Sequence, residues 1–171
     1  MEKYNNFKII RATNSHISSI LDLMKKLSEE FPEKFFVPST KEELDYVINE
    51  QGGFVLLCMD NSIIVGGTIV MYPNDKNHYL TRHNLFESVI IDSIFVSSQY
   101  RGHRIASSLL EEALQLIKRK YVYASVALDN FNSQKLFFKH GFSVYEQKRL
   151  YNGHDRYVLL LERSAHVLQN N

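Results

Sequence analysis

One stretch constrains this chain more than any other: Glu87 to Lys120, reading ESVIIDSIFVSSQYRGHRIASSLLEEALQLIKRK. Val89-Ile90-Ile91 and Ile94-Phe95-Val96 make an apolar run suited to a buried strand, broken only by the acid Asp92. Downstream, Ile105, Leu109, Leu110, Ala113, Leu114 and Ile117 recur at helical spacing and predict an amphipathic helix from near Ile105. Between them, Gln99-Tyr100-Arg101-Gly102-His103-Arg104 delivers two arginines and a glycine to a helix N-terminus. Amides there lack intrahelical partners and the helix dipole is positive, so a phosphate would be well placed.

The rest of the chain supplies a sheet for this unit to join. Phe7–Arg11 suits an opening strand, and Thr13-Asn14-Ser15 can cap a helix striped by Ile17, Ile20, Leu21, Met24 and Leu27. Residues 31–39 (FPEKFFVPS) hold two prolines and three phenylalanines and predict an irregular loop. Thr40 and Glu43 match a capping box, opening a second helix with Leu44, Val47 and Ile48 inward. Phe54–Met59 and Ser62–Met71 predict a hairpin turning at Asp60-Asn61. Gly66-Gly67 in its second strand signals a bulge or a close backbone approach. A long polar loop, Tyr72–Phe86, precedes the organising unit. After it come a strand at Tyr121–Leu128, a short helix carrying Leu136 and Phe137 that stops at Gly141, and strands at Phe142–Leu150 and Arg156–Leu161 joined through Asn152-Gly153. The expected fold class is α/β (α+β): a mixed, mostly antiparallel sheet of six to seven strands with helices on both faces.

Composition narrows the function classes. With 171 residues, 44% of them hydrophobic, the chain fits one domain, 1–171. A formal net charge of +1 gives no global field for nucleic acid or a membrane surface, and no apolar run is long enough to span a bilayer. The single cysteine, Cys58, excludes an intrachain disulfide framework. A cytoplasmic setting is the expectation. None of the seven histidines has zinc-ligand spacing with another ligand, so no metal is expected.

Three features carry candidate chemistry. Gly102 removes a Cβ that would hold a pyrophosphate away from the loop. Asp92 shares a face with Ile90 and Ile94 on the two-residue period of a strand, and a carboxylate buried there must be partnered or must work with a raised pKa. Asn130 lies between a strand and a helix, with an amide able to donate and accept. A plain strand-to-helix turn, a partnered acid and a turn-forming asparagine would account for them singly.

Together these residues resemble the GNAT superfamily of N-acetyltransferases. One family signature falls on Gln99-Tyr100-Arg101-Gly102-His103-Arg104, with Ala106 at the next small position. A second falls on Asn130, Ser133, Leu136, Phe137, Gly141 and Phe142. The order of elements fits the family over about residues 8–162. The resemblance implies acetyl-CoA as co-substrate and, as acceptor, the primary amine of a small molecule or of a protein N-terminus or lysine. Backbone groups of Ile94, Phe95 and Val96 would meet the pantetheine arm. The backbone of Arg101, Gly102, His103, Arg104, Ile105 and Ala106 would hold the pyrophosphate, and Ser107 could add a hydroxyl. Asn130 would bond the pantetheine side, with Phe137 beside it.

Two positions depart from the family. Arg104 stands where a small residue is usual, and Phe137 where many relatives have a tyrosine that protonates the departing thiolate. Tyr145, Tyr151 or water could replace that acid. Asp92, through a water, is the candidate base, with Glu87 second. Glu29, Glu30, Glu33, Glu42 and Glu43 could give an acidic acceptor side suited to a polyamine, and Phe35, Phe36, Tyr72 and Tyr79 could line its pocket. A CoA-binding module without catalysis is the alternative, and pairing of the late hairpin between subunits would give a homodimer.

Overall fold

The computed structural model describes residues 7–75, 80–150 and 153–164. Its seven strands are β1 (Phe7–Arg11), β2 (Gly53–Asp60), β3 (Ile63–Met71), β4 (Ser88–Val96), β5 (Tyr121–Ala127), β6 (Ser143–Leu150) and β7 (His154–Glu162). They form one sheet in the order β1-β2-β3-β4-β5-β7-β6. Every neighbouring pair is antiparallel except β4 and β5, which the crossover through a helix makes parallel.

Helices α1 (Ile17–Glu30) and α2 (Lys41–Asn49) cover one face, and α3 (Ile105–Leu116) and α4 (Phe131–Lys139) the other. Residues of β2 alternate between the two cores: Phe54, Leu56 and Cys58 pack toward α3, Val55 and Leu57 toward α1 and α2. That two-sided burial is why this strand reads as a continuous apolar run rather than an alternating one. The stripe Ile17, Ile20, Met24 and Leu27 is buried as the helical period requires. The capping box at α2 is formed, Thr40 Oγ1 accepting from the Glu43 amide at 3.2 Å and the Glu43 carboxylate from the Thr40 amide at 2.8 Å.

Gly66 and Gly67 have two separate reasons to lack side chains. A Cβ on Gly66 would lie 2.8 Å from the Phe95 carbonyl oxygen and 3.3 Å from Ile105, so this glycine lets the start of α3 sit on the sheet. A Cβ on Gly67 would lie 2.6 Å from the Phe95 ring, on the other face.

The described part of the loop after β3 is fastened to the sheet. Leu80 is buried with Ile90, Tyr123 and Val158, and Arg119 donates to the Leu85 and Ser88 carbonyls at 2.9 and 2.8 Å while its guanidinium lies 4.0 Å from the Tyr72 ring centre. Tyr79, Tyr151 and Asn152 fall outside the described residues. Among the described residues no helix is long and apolar enough to cross a membrane.

Candidate active site

The site begins with a parting of two strands. β4 pairs with β5 only from Ser88↔Tyr121 to Ile91↔Ala124. Beyond that point β5 stays with β7 to Ala127, and β4 stays with β3 to Val96. From Asp92 onward the edge of β4 that faces β5 therefore has no strand beside it.

A bulge lies at the point of parting. Val70 is opposite Ile91 and Ile69 is opposite Ser93, so Asp92 is an extra residue without a counterpart on β3. A bulge bends its strand and increases the local twist, which turns β4 away from a neighbour that continues straight. It also resets the side-chain alternation. Val89 and Ile91 pack toward α3, and so do Ile94 and Val96, whereas Ile90 and Phe95 lie on the opposite face. The expectation that Asp92 shares one face with both Ile90 and Ile94 is corrected: those two isoleucines point to opposite sides, because the extra residue shifts the two-residue period by one.

The gap is a cavity of about 1130 Å³. Its walls include Ile91–Val96 of β4, the Arg101–Ser107 turn apart from His103, Ser125 and Val126 of β5, Asn130 and Phe137, and the aromatic segment between α1 and α2. Four cationic side chains (Arg101, Arg104, Lys135 and Arg156) and two acids (Glu43 and Asp92) line it. Ser93 also lines it. The Ser93 hydroxyl is buried with no hydrogen-bond partner among the described residues, which costs about 1–3 kcal/mol unless a polar guest arrives.

At one end of the cavity the chain makes two left-handed turns before α3. Gly102 has φ of 82° and Arg104, the residue that caps the helix, φ of 62°. The space a Cβ would fill on Gly102 is open, so its need for glycine is conformational and leaves room for a ligand. The first intrahelical bond runs from the Ser108 amide to the Arg104 carbonyl at 3.0 Å. The amides of Ile105, Ala106 and Ser107 thus have no partner within the helix, and they stand at its positive end.

The acetyltransferase (GNAT) family profile matches residues 20–142. This chain is a member of the GNAT acetyltransferase family. It is therefore an acyltransferase by class. No curated protein matches its sequence. Among solved structures it is similar to a chain of the NatC complex bound to Gag peptide and CoA, with TM-score 0.74, 20% identity, and 92% of this chain and 99% of that one covered. It is similar to a GNAT acetyltransferase from Streptococcus pneumoniae (TM-score 0.73, 20% identity, 93% and 100% covered) and to a ribosomal-protein-alanine N-acetyltransferase from Brucella melitensis (0.71, 18%, 91% and 99%). At such identities the likeness is one of fold.

Several side chains of this GNAT domain take positions that the motif alone does not reveal. Arg101 lines the cavity, yet its guanidinium lies over Phe31 and 3.6 Å from Glu30. His103 is turned toward Phe7 at 6.0 Å and does not line the cavity. The Ser107 hydroxyl, expected to be available to a phosphate, instead donates to Glu111 at 3.0 Å and lies 3.3 Å from His140 Nε2. Glu111 also meets His140 Nε2 at 3.2 Å, and hydrogen bonds from His140 and Ser107 hold its carboxyl below the usual value. Asn130 caps α4 through Oδ1, which accepts from the Ser133 amide at 3.2 Å, leaving the Nδ2 group as the donor it could offer a ligand. Phe137 is 6% exposed and packs edge-on to Phe142 at 5.1 Å.

Two catalytic candidates are not brought to the cavity. Glu87 ends the turn before β4, at the opposite end of that strand from Ile94–Val96. Tyr145 is the bulged residue of β6, between Val144↔Leu159 and Glu146↔Val158, and lies against Tyr123 and His83. Asp92 is the one of the three that lines the cavity. The acidic acceptor side is not assembled either. Of the five glutamates only Glu43 lines the cavity, and Glu30 is engaged by Ser98 and Arg101.

Cys58 is no alternative nucleophile. It is buried in the α3-side core, and burial, followed by the Asp60 carboxylate, pushes its thiol up to about 11. Among the described residues no group of three or more His, Cys, Asp or Glu could hold a metal. The residue that sequence reasoning passed over is Arg156: it is 8% exposed, lines the cavity and donates to Ser125 and to the Lys34 carbonyl. Its only advance signal was a cation at the head of the apolar run Tyr157–Leu161.

Proposed function

We propose that this chain is a cytoplasmic enzyme that transfers the acetyl group of acetyl-CoA to a primary amine by direct attack. The observation that carries the reading is the edge of β4 from Asp92 to Val96 that has no strand beside it on the β5 side, opening on a cavity that ends at the first-turn amides of α3. An extended pantetheine chain would lie along that edge as an added strand, with its pyrophosphate against the backbone of residues 101–106 and Asn130 Nδ2 on its flank. A reducing compartment suits the single, buried cysteine.

The chemistry needs an uncharged amine. A lysine-like ammonium has a pKa of about 10.4, so a base must take its proton before attack. Asp92, acting through a water, has that role. The amine nitrogen then bonds the thioester carbonyl carbon and the C–S bond breaks. Nitrogen loses a second proton as the amide forms, which balances the one the departing thiolate takes up, and the proton first taken from the ammonium passes to solvent. Amides around Phe95 would steady the charge on the carbonyl oxygen. Phe137 cannot donate a proton. With Tyr145 away from the cavity, water delivers it, which a leaving group of pKa about 8.5 tolerates.

Phenylalanine at position 137, which cannot donate a proton, favours one competing reading, a CoA-binding module without turnover. Thermal unfolding with acetyl-CoA and CoA release with a panel of amines separate the two. The enzyme is stabilised and releases CoA; the module is only stabilised.

A further inference from the structure

The segment between α1 and α2 is fastened to both lips of the parted strands. On the β4 side, Ser98 donates to Glu30, and Arg101 pairs with Glu30 at 3.6 Å and lies 4.3 Å from the Phe31 ring centre. On the β5 side, Lys34 forms an ion pair with Asp129, and its carbonyl accepts from Arg156 NH1 at 2.6 Å. The same Arg156 donates through Nε to Ser125 Oγ and through NH2 to the Ser125 carbonyl, both at 3.1 Å. Ser125 is the first residue of β5 beyond the last β4 pair, Ile91↔Ala124. One guanidinium thus ties the point where the strands separate to the strap that crosses the gap.

From Phe31 to Pro38 every strap residue that lines the cavity is apolar, with Phe31, Phe35 and Phe36 the largest; Ser39 and Thr40 follow at the approach to α2. Neither acid of the lining is placed to receive a second ammonium. Glu43 accepts the Thr40 amide at 2.8 Å in the α2 cap, and Asp92 has the first amine to deprotonate. Four cations share the same walls. A polyamine would bring surplus positive charge into that field, with desolvation to offset and no free carboxylate to meet it. An amine carried on an apolar body would instead bury that body against the aromatic strap.

We infer that the acceptor is a primary amine borne on an apolar, aromatic-sized group, and that Arg156 is the positioning residue that holds the Phe31–Pro38 strap against it. This rests on the transferase reading above. Arg156 acts through the strap and Ser125, and its three nitrogens meet three acceptors in a fork that a lysine ammonium cannot span.

The test measures CoA release with acetyl-CoA and matched amines: 2-phenylethylamine, a leucine-initiated peptide, putrescine and spermidine. Either of the first two exceeding both polyamines in kcat/KM by about tenfold or more supports the inference, and the better of the pair identifies a small amine or a peptide N-terminus. Polyamines used equally well overturn it while leaving the transferase reading intact. Release with no amine, although acetyl-CoA still raises Tm, overturns both.

Arg156→Lys is expected to raise the KM for the apolar amine by about tenfold with the acetyl-CoA KM nearly unchanged. Equal rises in both would assign Arg156 a general structural role and overturn its part. If Arg156→Lys fails to fold, Phe35→Ala, at a half-buried position on the strap, carries the test. It should remove the preference for the apolar amine, and an unchanged preference overturns the assignment.

Discussion

Arg101 lays its guanidinium over the ring of Phe31, 4.3 Å from the centroid, and so binds the turn that precedes α3 to the end of α1. The contact explains why an arginine next to a phosphate-ready loop is not itself aimed at phosphate. Its Glu30 partner is half exposed at 3.6 Å, so most of its value lies in the stacked, partly desolvated plane. Arg101→Ala should lower unfolding free energy by about 1 kcal/mol, a Tm fall of about 2–4 °C. Calorimetry checks this, and a loss confined to acetyl-CoA affinity with unchanged Tm would show a direct phosphate contact instead.

Asp92 lies in β4 and Glu87 in the turn just before it, and of the two only Asp92 reaches the cavity. Asp92→Asn is expected to reduce kcat by about a hundredfold and to flatten the acid limb of the pH–rate profile. The Tm rise on adding acetyl-CoA should persist. Glu87→Gln should behave as wild type in both respects. An Asp92→Asn enzyme with wild-type rate and profile would remove Asp92 from proton transfer.

Arg104 holds a left-handed backbone that costs a non-glycine residue about 1–2 kcal/mol. Asparagine tolerates the same conformation, so Arg104→Asn isolates the charge. Stability should stay within about 0.5 kcal/mol of wild type. The acetyl-CoA Kd should rise about fivefold at low salt, with the gap closing as salt is added. Titration calorimetry at two ionic strengths decides it.

The Cys58 thiol sits at about 11 against an ordinary 9.0, so the folded state holds this proton more tightly than the unfolded chain. That contribution to stability is complete below pH 9 and is lost as pH rises toward 11. The stability difference between wild type and Cys58→Ala should therefore shrink across that window in denaturant titrations. The native thiol should resist alkylation at pH 8, and Cys58→Ala should keep kcat within about twofold.

Local rules read well from this sequence, and long-range ones did not. The α2 capping box involves only Thr40 and Glu43, three residues apart, and forms as the residues imply. Buried stripes on α1 and α3 follow from helical spacing alone. The facing of Asp92 depended instead on the register against Ile69 and Val70, which no local pattern encodes. Glu87 and Tyr145 lie near the right elements in sequence, but at the end of β4 away from the cavity and on the bulge of β6. The engagement of Ser107 was half legible, since Glu111 follows at the i+4 position on the same helix, but His140 arrives from α4. Arg156 joins residues 31 and 122 positions away, a separation beyond any periodicity.

The extra residue that β4 carries between the Val70↔Ile91 and Ile69↔Ser93 pairs makes chain length a functional property of this strand. Removing Asp92 would delete the bulge along with a carboxylate. Val70↔Ile91 and Ile69↔Ser93 would become consecutive pairs of a regular ladder, so Ser93 to Val96 would keep their faces, the Phe95 ring still over Gly67, while the bend that turns β4 away from β5 would be lost. A strand one residue shorter at this point would pair with β3 without interruption and lose the local bend and twist that open the cavity. In this fold the site is counted as much as it is composed.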